Sequence, residues 1–132
     1  MIFVDTGAWY AMVVDSDPAH AAVNACLANN SEELITTDYI VDETLTLLRA
    51  RSKDLKAIEL GKAFFSDQIA SVYKLTDADL MATWTVFNKF SDKAWSFTDC
   101  SSKVVMQKLG ITTALSLDNH FVQFGNITVL PG

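Results

Sequence analysis

Cysteine is scarce in this chain. Only Cys26 and Cys100 occur, far apart and each among apolar or small neighbours. Two such residues argue against a disulfide framework or a zinc site and read as buried, reduced thiols. Long apolar runs are missing too. The longest, Ala8–Val14, is too short to cross a bilayer. The first residues have neither a basic start nor a small-residue cleavage site, so no secretory leader is expected. These absences predict a cytoplasmic protein with no membrane partner. Positive charge is also in short supply, with 10 Lys and Arg against 16 Asp and Glu and a net charge of −6. A protein that holds nucleic acid by backbone electrostatics alone is normally basic. Either nucleic acid is no partner here, or cations, a local basic patch or a basic partner chain must offset the acids. No internal repeat and no low-complexity linker divides the 132 residues, which therefore read as one domain.

What is present is a regular alternation. Half the residues are apolar, and short apolar runs alternate with longer helical patterns, the signature of a parallel sheet covered on both faces. Strands are predicted at 2–4, 33–37, 71–75, 113–117 and 126–130. Helices are predicted from near Ala8, from Pro18 through Leu27, from Asp38 to about Ala50, and over Leu55–Ile69. Two more run from a Thr76 cap through Phe90 and from Thr98 or Asp99 to Gly110. The fold class is α/β: a three-layer sandwich around a central, mostly parallel sheet of four to five strands.

Two predicted strands end in acids, Val4–Asp5 and Ser116–Asp118. In open α/β sheets, ligands bind beyond the carboxyl ends of the strands, so acids placed there mark a reaction centre. Each acid also has a bland explanation. Asp5 suits a turn or a helix cap, Asp99 a first helical turn, Asp118 a turn before Asn119, and Glu43 a solvated helix face. On a helical wheel, Ile40, Val41, Thr44, Leu45, Leu47 and Leu48 form one apolar arc. Glu43 falls just beside that arc and Asp42 only slightly further out, so periodicity does not choose between them.

The strings VDTGAW, DETLTLLR, SFTDCSS and ALSLDNHF, followed by a late LP, occur in that order along the whole chain. In them the sequence resembles the PIN-domain family of metal-dependent nucleases, and within it the VapC-type toxins of prokaryotic toxin–antitoxin pairs. The resemblance implies an acidic quartet of Asp5, Glu43, Asp99 and Asp118, with Asp5, Asp99 and Asp118 as metal ligands, and it selects Glu43 over Asp42. It implies supporting roles for Thr6 and Thr98, Mg2+ or Mn2+ as cofactor, and an RNA substrate, single-stranded or in a structured loop. It also implies a homodimer and a cognate VapB-type antitoxin. One departure is Cys100, where the family often has alanine after the third acid.

The chemistry suits those residue types. Phosphodiester hydrolysis needs an activated water and a way to stabilise charge on phosphate oxygens. Hard divalent cations supply both, and carboxylates hold them without filling the coordination sphere. In RARSKDLK, the cations Arg49, Arg51 and Lys53 are candidates for steering an RNA backbone, or a solvated helix end. Leu55, Ile58, Phe64 and Phe65 read as core, or as a groove for a partner helix. Trp9, Tyr10, Trp95 and Phe97 read as core rather than as base-stacking platforms, and His120 as a partly exposed histidine at a helix start. A haloacid-dehalogenase-type phosphohydrolase needs a second aspartate where Gly7 stands. Receiver domains need adjacent acids after the first strand and a late lysine. Neither pattern is present. The remaining alternatives are a catalytically silent module that binds RNA or protein, and a housekeeping RNA-processing nuclease.

Overall fold

The computed structural model describes residues 1–132. Ile2–Val4 form β1, and all three residues are buried, as a strand with neighbours on both edges and helices on both faces requires. On one side β1 pairs in parallel with β2 (Leu34–Thr37), with Phe3 opposite Ile35. On the other it pairs in parallel with β4 (Thr113–Leu115), with Phe3 opposite Ala114. The edge strands β3 (Ser71–Tyr73) and β5 (Thr128–Leu130) complete an all-parallel sheet of order β3-β2-β1-β4-β5. Strand order therefore reverses between β1 and β4, the two strands whose carboxyl ends carry Asp5 and Asp118.

Right-handed crossovers put the helices on one face while the chain travels from β1 through β2 to β3, and on the other once it turns back toward β4 and β5. On one face lie α1 (Thr6–Val13), α2 (His20–Ala28), α3 (Asp38–Ala50) and α4 (Asp54–Phe65). On the other lie α5 (Asp77–Lys89), α6 (Phe97–Leu109) and the short α7 (Asn119–Gln123). The two layers also meet directly, α3 against α6. Trp9 of α1 is fully buried, edge-on to Phe64 at 5.0 Å, and its indole N–H donates to Thr36 Oγ1 at 3.3 Å. On the opposite face, Phe121, Phe124 and Trp95 pack together at 4.8 and 5.1 Å. Trp9, Tyr10 and Trp95 are thus core side chains. Both cysteines are free, Cys26 half-buried and Cys100 buried, and burial, with Asp99 adding to it, pushes the Cys100 thiol up against a smaller opposing pull from Lys103.

Several boundaries differ from the sequence reading for identifiable reasons. The chain turns straight from β1 into α1 at Thr6, rather than near Ala8. Pro18 precedes α2, in a turn where Asp17 Oδ1 accepts from the Ala19 N–H. Helix α4 stops at Phe65 rather than Ile69, because Asp67 adopts a left-handed conformation (φ 54) that closes the helix. Helix α6 is capped by Ser96, so it starts ahead of Thr98.

Candidate active site

Four carboxylates reach the carboxyl edge of the sheet from four different elements. Asp5 directly follows β1 in an extended conformation (φ −92, ψ 166), and its side chain makes no capping bond to α1. It accepts instead from the Ser116 hydroxyl at 3.2 Å. Glu43, in the second turn of α3, accepts from the Thr6 hydroxyl at the start of α1. Asp99 is the third residue of α6, and its Oδ2 accepts from the Ser96 N–H at 3.0 Å in a reciprocal capping box. Asp118 begins α7, accepting from the His120 N–H at 2.9 Å, while its own N–H donates to Ser116 Oγ at 3.1 Å.

All four line one cavity of about 550 Å3, together with Thr6, Gly7, Leu117, Asn119 and His120. Asp42 lines a different cavity on the β3 side of α3, with Asp38, Phe64 and Lys74. Geometry therefore separates the adjacent acids that the helical wheel could not. Thr6 supports Glu43, whereas Thr98 enters by its backbone, its carbonyl accepting from the Ser101 and Ser102 hydroxyls. Arg49, Arg51 and Lys53 do not line the acidic cavity. Arg49 lies about 9 Å beyond Glu43 along α3, and Arg51 and Lys53 follow the end of that helix. Arg49 pairs with Asp54 at 3.4 Å, the Arg51 guanidinium sits 5.0 Å over the Tyr10 ring, and Lys53 precedes α4.

Three participants carried little signal in the sequence. His120 Nδ1 lies 2.7 Å from Asp99 Oδ2 and 3.2 Å from Asp118 Oδ1. With two carboxylates as its partners, that nitrogen carries the proton, and the ring ties one acid to the other. Ser116 links Asp5 to the Asp118 backbone, and Ser96 holds the start of α6. Ser96 alone was legible, as the hydroxyl of an S-x-x-D capping box.

The electrostatics are those of crowded negative charge. Burial pushes the Asp5 carboxyl up to about 7. The adjacent Thr6 backbone N–H opposes this, while the charges of Asp99, Glu43 and Asp118 add to it. No lysine or arginine lines the cavity. Ligand atoms of Asp99, Asp118 and His120 lie within 4.8 Å of one another. A surplus of carboxylate oxygens with no cationic side chain among them fits a hard divalent cation such as Mg2+ or Mn2+.

A sequence profile of the PIN domain matches residues 2–127. The chain belongs to the PIN-domain family. Among its PIN relatives is the 23S rRNA-specific endonuclease VapC20 of Mycobacterium tuberculosis, 29% identical over 99% of each chain. Ribonuclease VapC26 of the same organism is 24% identical, covering 98% of this chain and all of the relative. The crystal structure of VapC20, described as a sarcin-ricin loop cleaving toxin, superposes with a TM-score of 0.89 at 27% identity, covering 95% of both chains. The five-stranded parallel sheet with helices on both faces is thus the PIN architecture, and the acidic cavity lies at its strand-order reversal.

Proposed function

We propose that this PIN domain is a divalent-metal-dependent endoribonuclease, the toxin of a toxin–antitoxin pair, cutting RNA in a single-stranded or loop segment. The observation that carries the reading is the convergence of Asp5, Glu43, Asp99 and Asp118 on one cavity that no lysine or arginine lines. Kinship with VapC20 and VapC26 supports RNA as the substrate and toxin as the role. No helix is long and apolar enough to cross a membrane.

The residues divide the work. Asp5, Asp99 and Asp118 offer the oxygens that would hold the ion. When bound, the metal lowers the pKa of its water and stabilises charge on the phosphate oxygens. Glu43, on the exposed rim and held by Thr6, is placed to orient the attacking water and take its proton. His120 keeps Asp99 and Asp118 in register. Helices α1 and α6 both begin at the cavity, and their N-terminal ends favour an anionic phosphate beside the acids.

Asp5→Asn or Asp99→Asn is expected to cut RNA cleavage about a hundred-fold or more with the fold retained. Cleavage that survives saturating chelator would overturn metal dependence. The partners follow the same electrostatics. A homodimer and a cognate antitoxin are the assembly we infer, the antitoxin inserting an arginine or lysine against the acids. Co-expression with the neighbouring small gene, co-purification and an RNA-cleavage assay test it. A neighbour that neither binds nor inhibits would remove the antitoxin and leave the nuclease.

A further inference from the structure

Of the 10 lysines and arginines in this chain, only Lys103 is buried, at 9% exposed. Lysine is almost never buried unless it is paired. Yet the Lys103 ammonium forms neither an ion pair nor a hydrogen bond. Asp99 stands one turn earlier on α6, but its carboxylate is taken by the Ser96 N–H and by His120. What Lys103 does meet is a ring. Its ammonium lies 5.8 Å from the centroid of Phe90, over which Lys89 also sits at 5.4 Å. Burial, and after it the Lys89 charge, pull the Lys103 ammonium below the ordinary lysine range, against an opposing effect of Cys100.

Lys103 lines a cavity of about 280 Å3 between α6 and the connection from α7 to β5. Met106, Ile111 and Phe124, all buried, give it an apolar wall. Gln107, Thr112 and Asn126, all exposed, bring amide and hydroxyl donors to its mouth. No acid lines it, in a chain that has 16. The cavity shares no residue with the acidic one described above. The fold therefore builds a cationic, partly apolar recess and supplies no counter-ion for it.

We propose that Lys103 anchors a small organic monocarboxylate in this cavity, its charged end at the ammonium and its apolar end against Met106 and Phe124. One buried cation balances one negative charge, and the apolar wall disfavours a dianion such as phosphate. The amide donors of Gln107 and Asn126 suit a group that only accepts hydrogen bonds. The volume equals roughly nine waters of liquid, which limits the ligand to a short-chain or single-ring acid. The competing account is that water and the Phe90 ring alone satisfy the ammonium. The proposal stands apart from the nuclease reading.

The test uses the full chain, metal-free in chloride buffer, with sodium butyrate as the probe and butanol and inorganic phosphate as comparisons. Butyrate should raise the melting temperature saturably, beyond the effect of sodium chloride at equal ionic strength, with a Kd on the order of 1 mM. Lys103→Met keeps the stem and removes the charge, so it should weaken binding about ten-fold or more, while Lys103→Arg keeps most of it. Gln107→Ala, and Asn126→Gly at a position of positive φ, read the same site if Lys103→Met does not fold. Each should weaken binding several-fold. Lys93→Met, an exposed lysine elsewhere, should change nothing. No saturable shift with butyrate overturns the site and leaves Lys103 to water and Phe90. A shift that none of the three cavity substitutions alters puts the ligand elsewhere and also overturns it. Butanol matching butyrate, or phosphate binding in its place, overturns the carboxylate assignment.

Discussion

Asp5 is the residue on which the site's energetics turn. Its proton affinity in the folded, metal-free protein is raised to about 7 from an ordinary 3.8, by burial first. Between those values the folded state binds more protons than the unfolded one, so stability from this group falls as pH rises from about 4 to about 7. In chelator, Asp5→Asn should therefore stabilise the protein at pH 8, by up to on the order of 3 kcal/mol, with the gain shrinking toward pH 4. Denaturant melts of both chains across that range check the sign. A gain independent of pH would mean that Asp5 is not strained. His120 makes a second residue-level case. Because it ties Asp99 to Asp118, His120→Ala should weaken divalent-ion binding about 10- to 100-fold, read from metal-dependent thermal shifts, while His120→Asn keeps a donor and part of the affinity. The sequence exposed Asp5, Asp99 and Asp118 through their positions at strand and helix ends. It could not expose the role of His120, because Asp99 lies in another helix and only tertiary structure brings the two together. Glu43 and Asp42 were likewise inseparable by periodicity. What distinguishes them is the Thr6 hydroxyl, delivered from another helix.

At the scale of elements, the start of α6 does double duty. Asp99 closes a capping box with Ser96 and, through the same carboxylate, faces the cavity. Ser96→Ala should cost about 1 kcal/mol in stability, and by loosening the first turn should reduce metal affinity less than Asp99→Asn does. Urea melts with and without Mn2+ separate the two effects. The same motif explains which boundaries were readable. Thr76 and Asp79 form an identical box, and α5 begins where T-x-x-D predicts. In S-F-T-D two hydroxyls compete, and only Ser96 has the three-residue spacing that lets it exchange bonds with Asp99. Helix α3 runs from Asp38 to Ala50 as its apolar arc indicates. The end of α4 was hidden, because an aspartate at positive φ carries no signal as plain as glycine's.

For the molecule as a whole, alternating apolar runs and helical patterns were enough to read the sandwich and its parallel sheet. The strand order was not readable, since it depends on which edge each crossover chooses. The acidity of the chain also acts globally. Mg2+ or Mn2+ should raise the melting temperature, with about 2.7 kcal/mol of stabilisation at a hundred times the dissociation constant. Calorimetry that finds the same shift in the parent and in Asp99→Asn would place the ion elsewhere. The central position of β1 has one more consequence. This strand meets its β4 neighbour only at residues 113–115, and Asp5 receives its hydrogen bond from Ser116. Asp5 and Asp118 are therefore joined through Ser116 only once strands more than a hundred residues apart have paired, so the acidic cavity and the middle of the sheet form in a single event and neither can be loosened without the other.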